Sequence, residues 1–123
     1  MSRKMDHVSA PFHSPLLQPA AHSFSQYLQA VSFADPHYNL IHNVTGKPYI
    51  GGDDLKITLM EQIVKTVRWR DCVNWCLSVG VDRFIEVGPG SVLSKLLDRE
   101  LKDQSVYGAK VEYVDKVDQI NRE

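Results

Sequence analysis

Arg83-Phe84-Ile85-Glu86-Val87 is a five-residue apolar-rich run. It ends at Gly88-Pro89-Gly90 and continues into Ser91-Val92-Leu93-Ser94-Lys95-Leu96-Leu97. The first part has the length and composition of a strand, the glycine-proline corner turns the chain, and Val92, Leu93, Leu96, Leu97 and Leu101 then recur at helical spacing. A strand feeding straight into a helix is the unit of α/β architecture. Upstream, Trp69, Cys72, Val73, Cys76 and Leu77 follow the i, i+3, i+4, i+7, i+8 pattern, and Gly80 supplies a left-handed stop. Before that, Leu55, Leu59, Met60, Ile63 and Val64 form the buried stripe of another helix, capped by Asp53 or Asp54. Residues 38–44 (YNLIHNV) read as a short strand closed by the turn residues Thr45, Gly46, Lys47 and Pro48. The first helix begins at Leu16 or Pro19 and runs to Val31. Ser14 before Pro15 has the look of an N-cap, while Pro19 predicts an irregular first turn. Past Lys102 the pattern weakens. Val106 and Tyr107, with residues 111–114, suggest a last hairpin or edge strand ahead of a polar tail. Helix and strand alternate throughout, which predicts an α/β fold with a mostly parallel sheet and flanking helices.

Composition narrows the function classes. The 123 residues are 43% hydrophobic and 24% charged with a net charge of -1, so there is no basic field of the kind that draws a nucleic acid. No apolar stretch approaches the roughly 20 residues needed to cross a bilayer, and the first 14 residues lack the apolar core of a secretory signal. A soluble intracellular protein is expected. Cys72 and Cys76 point into one apolar helix face and read as buried thiols. Neither they nor His7, His13, His22, His37 and His42 have zinc-finger spacing, so no metal is expected.

In Pro11-Phe12-His13-Ser14-Pro15 a histidine stands two residues from a proline on each side. That stiffens the backbone around an imidazole able to take and return a proton near neutrality. The other four histidines read as surface or packing residues. The surroundings of His13 go further. VSAPFHSPLLQPA (8–20), HNVTGKPY (42–49), LMEQIVKTVRW (59–69) and FIEVGPGSVLSKLL (84–97) resemble, in order and spacing, the malonyl-CoA:acyl-carrier-protein transacylases and the acyltransferase domains of polyketide synthases. The resemblance covers roughly Asp6 to Leu101. Residues 1–101 are accordingly expected to be the C-terminal part of an acyltransferase domain, and 102–123 a terminal strand and polar tail.

The resemblance implies a partial α/β-hydrolase-like acyltransferase fold, with a small ferredoxin-like insert in the whole domain. It also implies a two-step exchange through an acyl-serine. A serine takes malonyl from coenzyme A and yields it to the phosphopantetheine thiol of acyl carrier protein, with malonyl-CoA as substrate and no bound cofactor. His13 matches the family's base, Gln62 the residue whose backbone carbonyl orients the imidazole, and Phe12 the bulky residue of malonyl-selective members, which would crowd an α-methyl group. Two plainer readings stand beside these, Phe12 as a hydrophobic anchor of the loop and Gln62 as an exposed helix glutamine. Thr66 departs from the family's usual proline before Val67-Arg68-Trp69, where it can cap the next helix from nearby.

The nucleophile elbow Gly-x-Ser-x-Gly occurs nowhere in this sequence; Ser91 and Ser78 both lack the flanking glycines. In the family that serine, the glutamine loop of the oxyanion hole and the arginine that pairs the malonyl carboxylate all lie upstream of the matching segment. The chain therefore reads as truncated, with the N-terminal half missing, and as inactive alone. A complementary N-terminal half is an expected partner. Because parallel strands need cover on both faces, the isolated chain is expected to fold poorly or to associate. The competing reading is a non-catalytic remnant that docks a carrier protein or synthase subunit through Lys65, Arg68 and Arg70. Thioester hydrolysis by water is a third, and it lacks an oxyanion hole. In a eukaryote the resemblance would suggest the mitochondrial matrix, otherwise the cytoplasm, although no Arg-rich transit segment is visible.

Overall fold

The computed structural model describes residues 11–51 and 54–116, with only the backbone of Asp54. Helix α1 (Gln18–Gln29), α2 (Asp54–Gln62) and α3 (Trp69–Ser78) are followed by strand β1 (Arg83–Val87), α4 (Val92–Asp103) and β2 (Lys110–Val114). Two compact units divide the chain, Met1–Cys72 and Val73–Glu123, and the division falls inside α3.

In the first unit α1 packs on α2. Pro15–Leu17 forms a 3-10 turn ahead of α1, because Pro19, second in that helix, has no N–H to give. Ala21 and Leu28, seven residues apart and so on one face, are buried. The strand expected over 38–44 is absent. A single antiparallel bridge joins Ile41 to Pro48, and proline, with no donor, cannot extend it into a ladder. A tight loop forms there instead: Gly46 N–H donates to the His42 carbonyl at 2.8 Å and His42 N–H to the Lys47 carbonyl at 3.0 Å. Gly46 has φ +64°, and any Cβ placed on it would overlap the Asp71 side chain, so only glycine fits. The expectation of buried thiols needs correction as well. Cys72 and Cys76 are only half-buried; Cys72 Sγ lies 3.6 Å from the His42 carbonyl, and burial pushes the Cys76 thiol above its usual value.

The second unit is a β-α-β arrangement. β1 and β2 run parallel, with Phe84 beside Val111 and Glu86 beside Tyr113, and α4 packs on the pair. The last segment is thus a parallel partner of β1, and Val106 and Tyr107 are not strand, which removes the hairpin alternative. Leu97 and Leu101 are buried on α4. Sheet pleating separates Phe84 and Glu86, both half-buried, from Ile85 and Val87, which are 44% and 73% exposed. Parallel strands need cover on both faces, and this face of β1 has little among the described residues.

The start of α4 is held by a side chain from β1. Glu86 accepts the backbone N–H of Leu93 at 3.1 Å and of Ser94 at 2.8 Å, together with the Ser94 hydroxyl at 2.8 Å. Ser91, at the N-cap position, makes no capping bond, so Glu86 does its work. Desolvation pushes the Glu86 carboxyl up, but the bonds from Ser94 and Leu93 outweigh it and hold the group below the usual glutamate value of 4.5. Glu112 is held down too, first by Lys110 at 2.7 Å and then by Arg83 at 2.9 Å. A depressed carboxylate adds stability that is present above the unfolded value and lost as pH falls through the folded one. Acid unfolding of the second unit should therefore begin below about pH 4.5, and Glu86→Gln should flatten that pH dependence. Amide chemical shifts of α4 followed from pH 7 to 3 test this; an unchanged profile in Glu86→Gln would remove the carboxylate from the account.

Candidate active site

Pro11 to Ser14 forms a turn in which His13 adopts φ +57°, the left-handed region that a β-carbon disfavours by about 1–2 kcal/mol. What holds it there is the end of α2. His13 N–H donates to the Ile63 carbonyl at 3.0 Å, and ring Nδ1 lies 2.6 Å from the Gln62 carbonyl. Gln62 is the last residue of α2 and Ile63 the one after it, where carbonyls have no intrahelical partner. A carbonyl only accepts, so Nδ1 carries the proton, and Nε2 keeps its lone pair in the neutral ring.

His13 is exposed and borders an open hollow of about 500 Å³, lined otherwise by Phe12, Leu17, Ala20, Phe24, Leu59, Gln62 and Ile63. The ring is thus outside any dry core. The structure gathers His13, Gln62 and Phe12 at one place; Phe12 is 58% exposed at the hollow, and Gln62 meets the imidazole through its backbone. Chemically, a fixed Nδ1–H and an open Nε2 beside an apolar recess suit proton transfer to and from a bound group.

Two contacts were not legible beforehand. The Ile63 carbonyl had no signal, since a backbone acceptor leaves no mark in sequence. Ser14 was read as a helix N-cap; its side chain makes no capping bond, and its hydroxyl instead donates to the Pro11 carbonyl at 2.7 Å. Of the remaining histidines, His22 and His37 are exposed, whereas His42 is buried with Nδ1 3.0 Å from Thr58 Oγ1. His7 lies outside the described residues. The cations proposed for docking are engaged: Lys65 pairs with Glu61 at 2.7 Å and Arg68 with Asp71 at 2.6 Å, and Arg70 also has a partner. Among the described residues no three His, Cys, Asp or Glu side chains gather as a metal site, and no helix is long and apolar enough to cross a membrane.

No family model matches the sequence. Individual proteins do. The polyketide biosynthesis protein ThaF of Burkholderia thailandensis is 38% identical over 98 residues, which make up 80% of this chain and 8% of ThaF. The malonyl CoA-acyl carrier protein transacylase of Bacillus subtilis is 39% identical over 102 residues, 80% of this chain and 32% of the relative. In structure, the malonyl CoA-acyl carrier protein transacylase of Clostridium perfringens superposes with a TM-score of 0.81 at 31% identity, over 94% of this chain and 35% of that one.

The class to which these matches point is the α/β acyltransferases. Within it, the chain corresponds in sequence and in fold to a C-terminal portion of the malonyl CoA-acyl carrier protein transacylase family. It spans about a third of the length of the transacylases it matches.

Proposed function

We propose that the chain supplies the acid–base part of an acyl-transfer site, moving malonyl from coenzyme A to the phosphopantetheine thiol of acyl carrier protein. One observation carries this reading: Nδ1 of His13 is tied to the Gln62 carbonyl at 2.6 Å, so Nε2 is left open at an accessible hollow. His13 Nε2 takes the proton of a hydroxyl borne outside these 123 residues as its oxygen attacks the thioester carbon. The C–S bond breaks, and the coenzyme A thiolate receives that proton. In the return half the carrier thiol gives its proton to Nε2, its sulfur attacks the acyl ester, and the hydroxyl is restored. Gln62 orients the ring through its backbone, so its side chain has no part. Without the hydroxyl the chain is inactive by itself.

The test is reconstitution. The chain is mixed with an upstream transacylase portion bearing the nucleophile, malonyl-CoA and carrier protein are supplied, and transfer is compared between wild type and His13→Ala. The docking alternative predicts carrier binding by the chain without transfer in the same mixture.

Phe12 is assigned the acyl selectivity. Phe12 lines the hollow together with His13 and is 58% exposed; on this reading a branch on the α-carbon of the acyl group would meet its ring. Phe12→Ala should narrow the preference for malonyl over α-methyl-branched malonyl thioesters by about 10-fold or more, the usual worth of one methyl group in an apolar site. The ratio of kcat/KM values in the reconstituted reaction measures it; an unchanged ratio assigns Phe12 to loop anchoring only.

A further inference from the structure

A strained non-glycine backbone persists only where its surroundings over-determine it, and such positions gather at functional sites. Three bonds converge on the turn that carries His13. They are His13 N–H to Ile63 O at 3.0 Å, ring Nδ1 to Gln62 O at 2.6 Å, and Ser14 Oγ to Pro11 O at 2.7 Å. Only the third comes from a side chain that can be changed while leaving the imidazole and α2 untouched. It spans the φ +57° residue, joining the position before Phe12 to the one after His13.

We propose that Ser14 is a positioning residue for His13. Its hydroxyl closes the turn onto the Pro11 carbonyl and so holds the backbone that keeps Nδ1 on Gln62 and Nε2 open. This rests on the reading of His13 as the base. Ser14 touches no reacting atom in this account; it acts by selecting the tautomer. Which ring nitrogen carries the proton is set by the hydrogen bond the other makes, so a loosened turn lets the proton distribute over both nitrogens.

The readout is the His13 tautomer, from histidine 15N shifts in the full chain bound to the upstream portion used for transfer, with the His13 signals identified by their loss in His13→Gln. Wild type should hold the neutral ring mainly as Nδ1–H. Ser14→Ala should lower the ratio of Nδ1–H to Nε2–H by about fivefold, the worth of one hydrogen bond. Ser14→Thr, which keeps the hydroxyl, should restore it, while the amide shifts of α1 and α2 stay in place in both. If Ser14→Ala disturbs those amides, Ser14→Cys, of similar size and a weaker donor, takes its place and should also lower the ratio. An unchanged ratio, or a threonine that shifts it as far as alanine does, overturns the proposal. A shifted ratio together with transfer that survives His13→Ala would sink the base assignment and leave the positioning role standing; the converse pattern would sink the positioning alone.

Discussion

His13→Ala is expected to lower malonyl transfer by about 10²- to 10⁴-fold in the reconstituted site, the range that a positioned general acid–base contributes. A neutral hydroxyl is a weak nucleophile, and its activation requires an adjacent base. Among the described residues that line the hollow, His13 is the one titratable side chain. The geometry sharpens the expectation. With Nδ1 bonded at 2.6 Å to a carbonyl, the ring needs no reorientation before Nε2 accepts a proton, and the imidazolium that forms keeps that bond. His13→Gln is the stricter variant, since it retains a donor for the Gln62 carbonyl but has no base. The loss should appear in kcat with KM little changed, as befits an interaction made in the transition state. Transfer by either variant at the wild-type rate would exclude His13 from the chemistry.

The second large effect concerns stability. Leu101→Ala should cost about 2–5 kcal/mol, the range for truncating a buried leucine. Leu101 is 4% exposed, and among the described residues of the second unit the buried apolar side chains are Val73, Leu97 and Leu101. A typical domain has about 5–15 kcal/mol of net stability, so one such loss is a large share of the total. Leu96, on the same helix but 37% exposed, is the control and should cost far less on truncation. Urea unfolding followed by circular dichroism gives both values. Equal costs would mean that the Leu101 side chain is not packed as described.

Much of this architecture was legible because periodicity reports burial. Periodicity locates α1, α4 and the strand before Gly88-Pro89-Gly90, but of the apolar stripes Ala20, Ala21, Phe24, Leu28, Val31 and Val92, Leu93, Leu96, Leu97, Leu101 only Ala21, Leu28, Leu97 and Leu101 are buried, and the others are exposed. The failures share a cause: they depend on a partner that local sequence does not specify. Residues 38–44 have strand composition, but a ladder needs a donor opposite, and Pro48 stands there. Ser14 before Pro15 satisfies the rules for a helix cap, yet a serine three residues after a carbonyl can equally turn back to it, and here it does. The half-burial of Cys72 and Cys76 is a tertiary outcome in the same sense. At the site, His13 stood out for its stiff surroundings, and the family resemblance pointed to Phe12 and Gln62. The left-handed backbone at His13 is uncommon for a residue that carries a β-carbon. It exists because two carbonyls at the end of α2 and the Ser14 hydroxyl outweigh the local preference.

The carboxylate of Glu86 fixes how the Gly88-Pro89-Gly90 corner behaves toward charge. Free amides at the start of a helix attract phosphate groups, and a glycine-rich corner gives such groups room to approach. At α4 the Leu93 and Ser94 amides are already spent on an internal anion, so the corner offers a phosphate a negative neighbour in place of open donors.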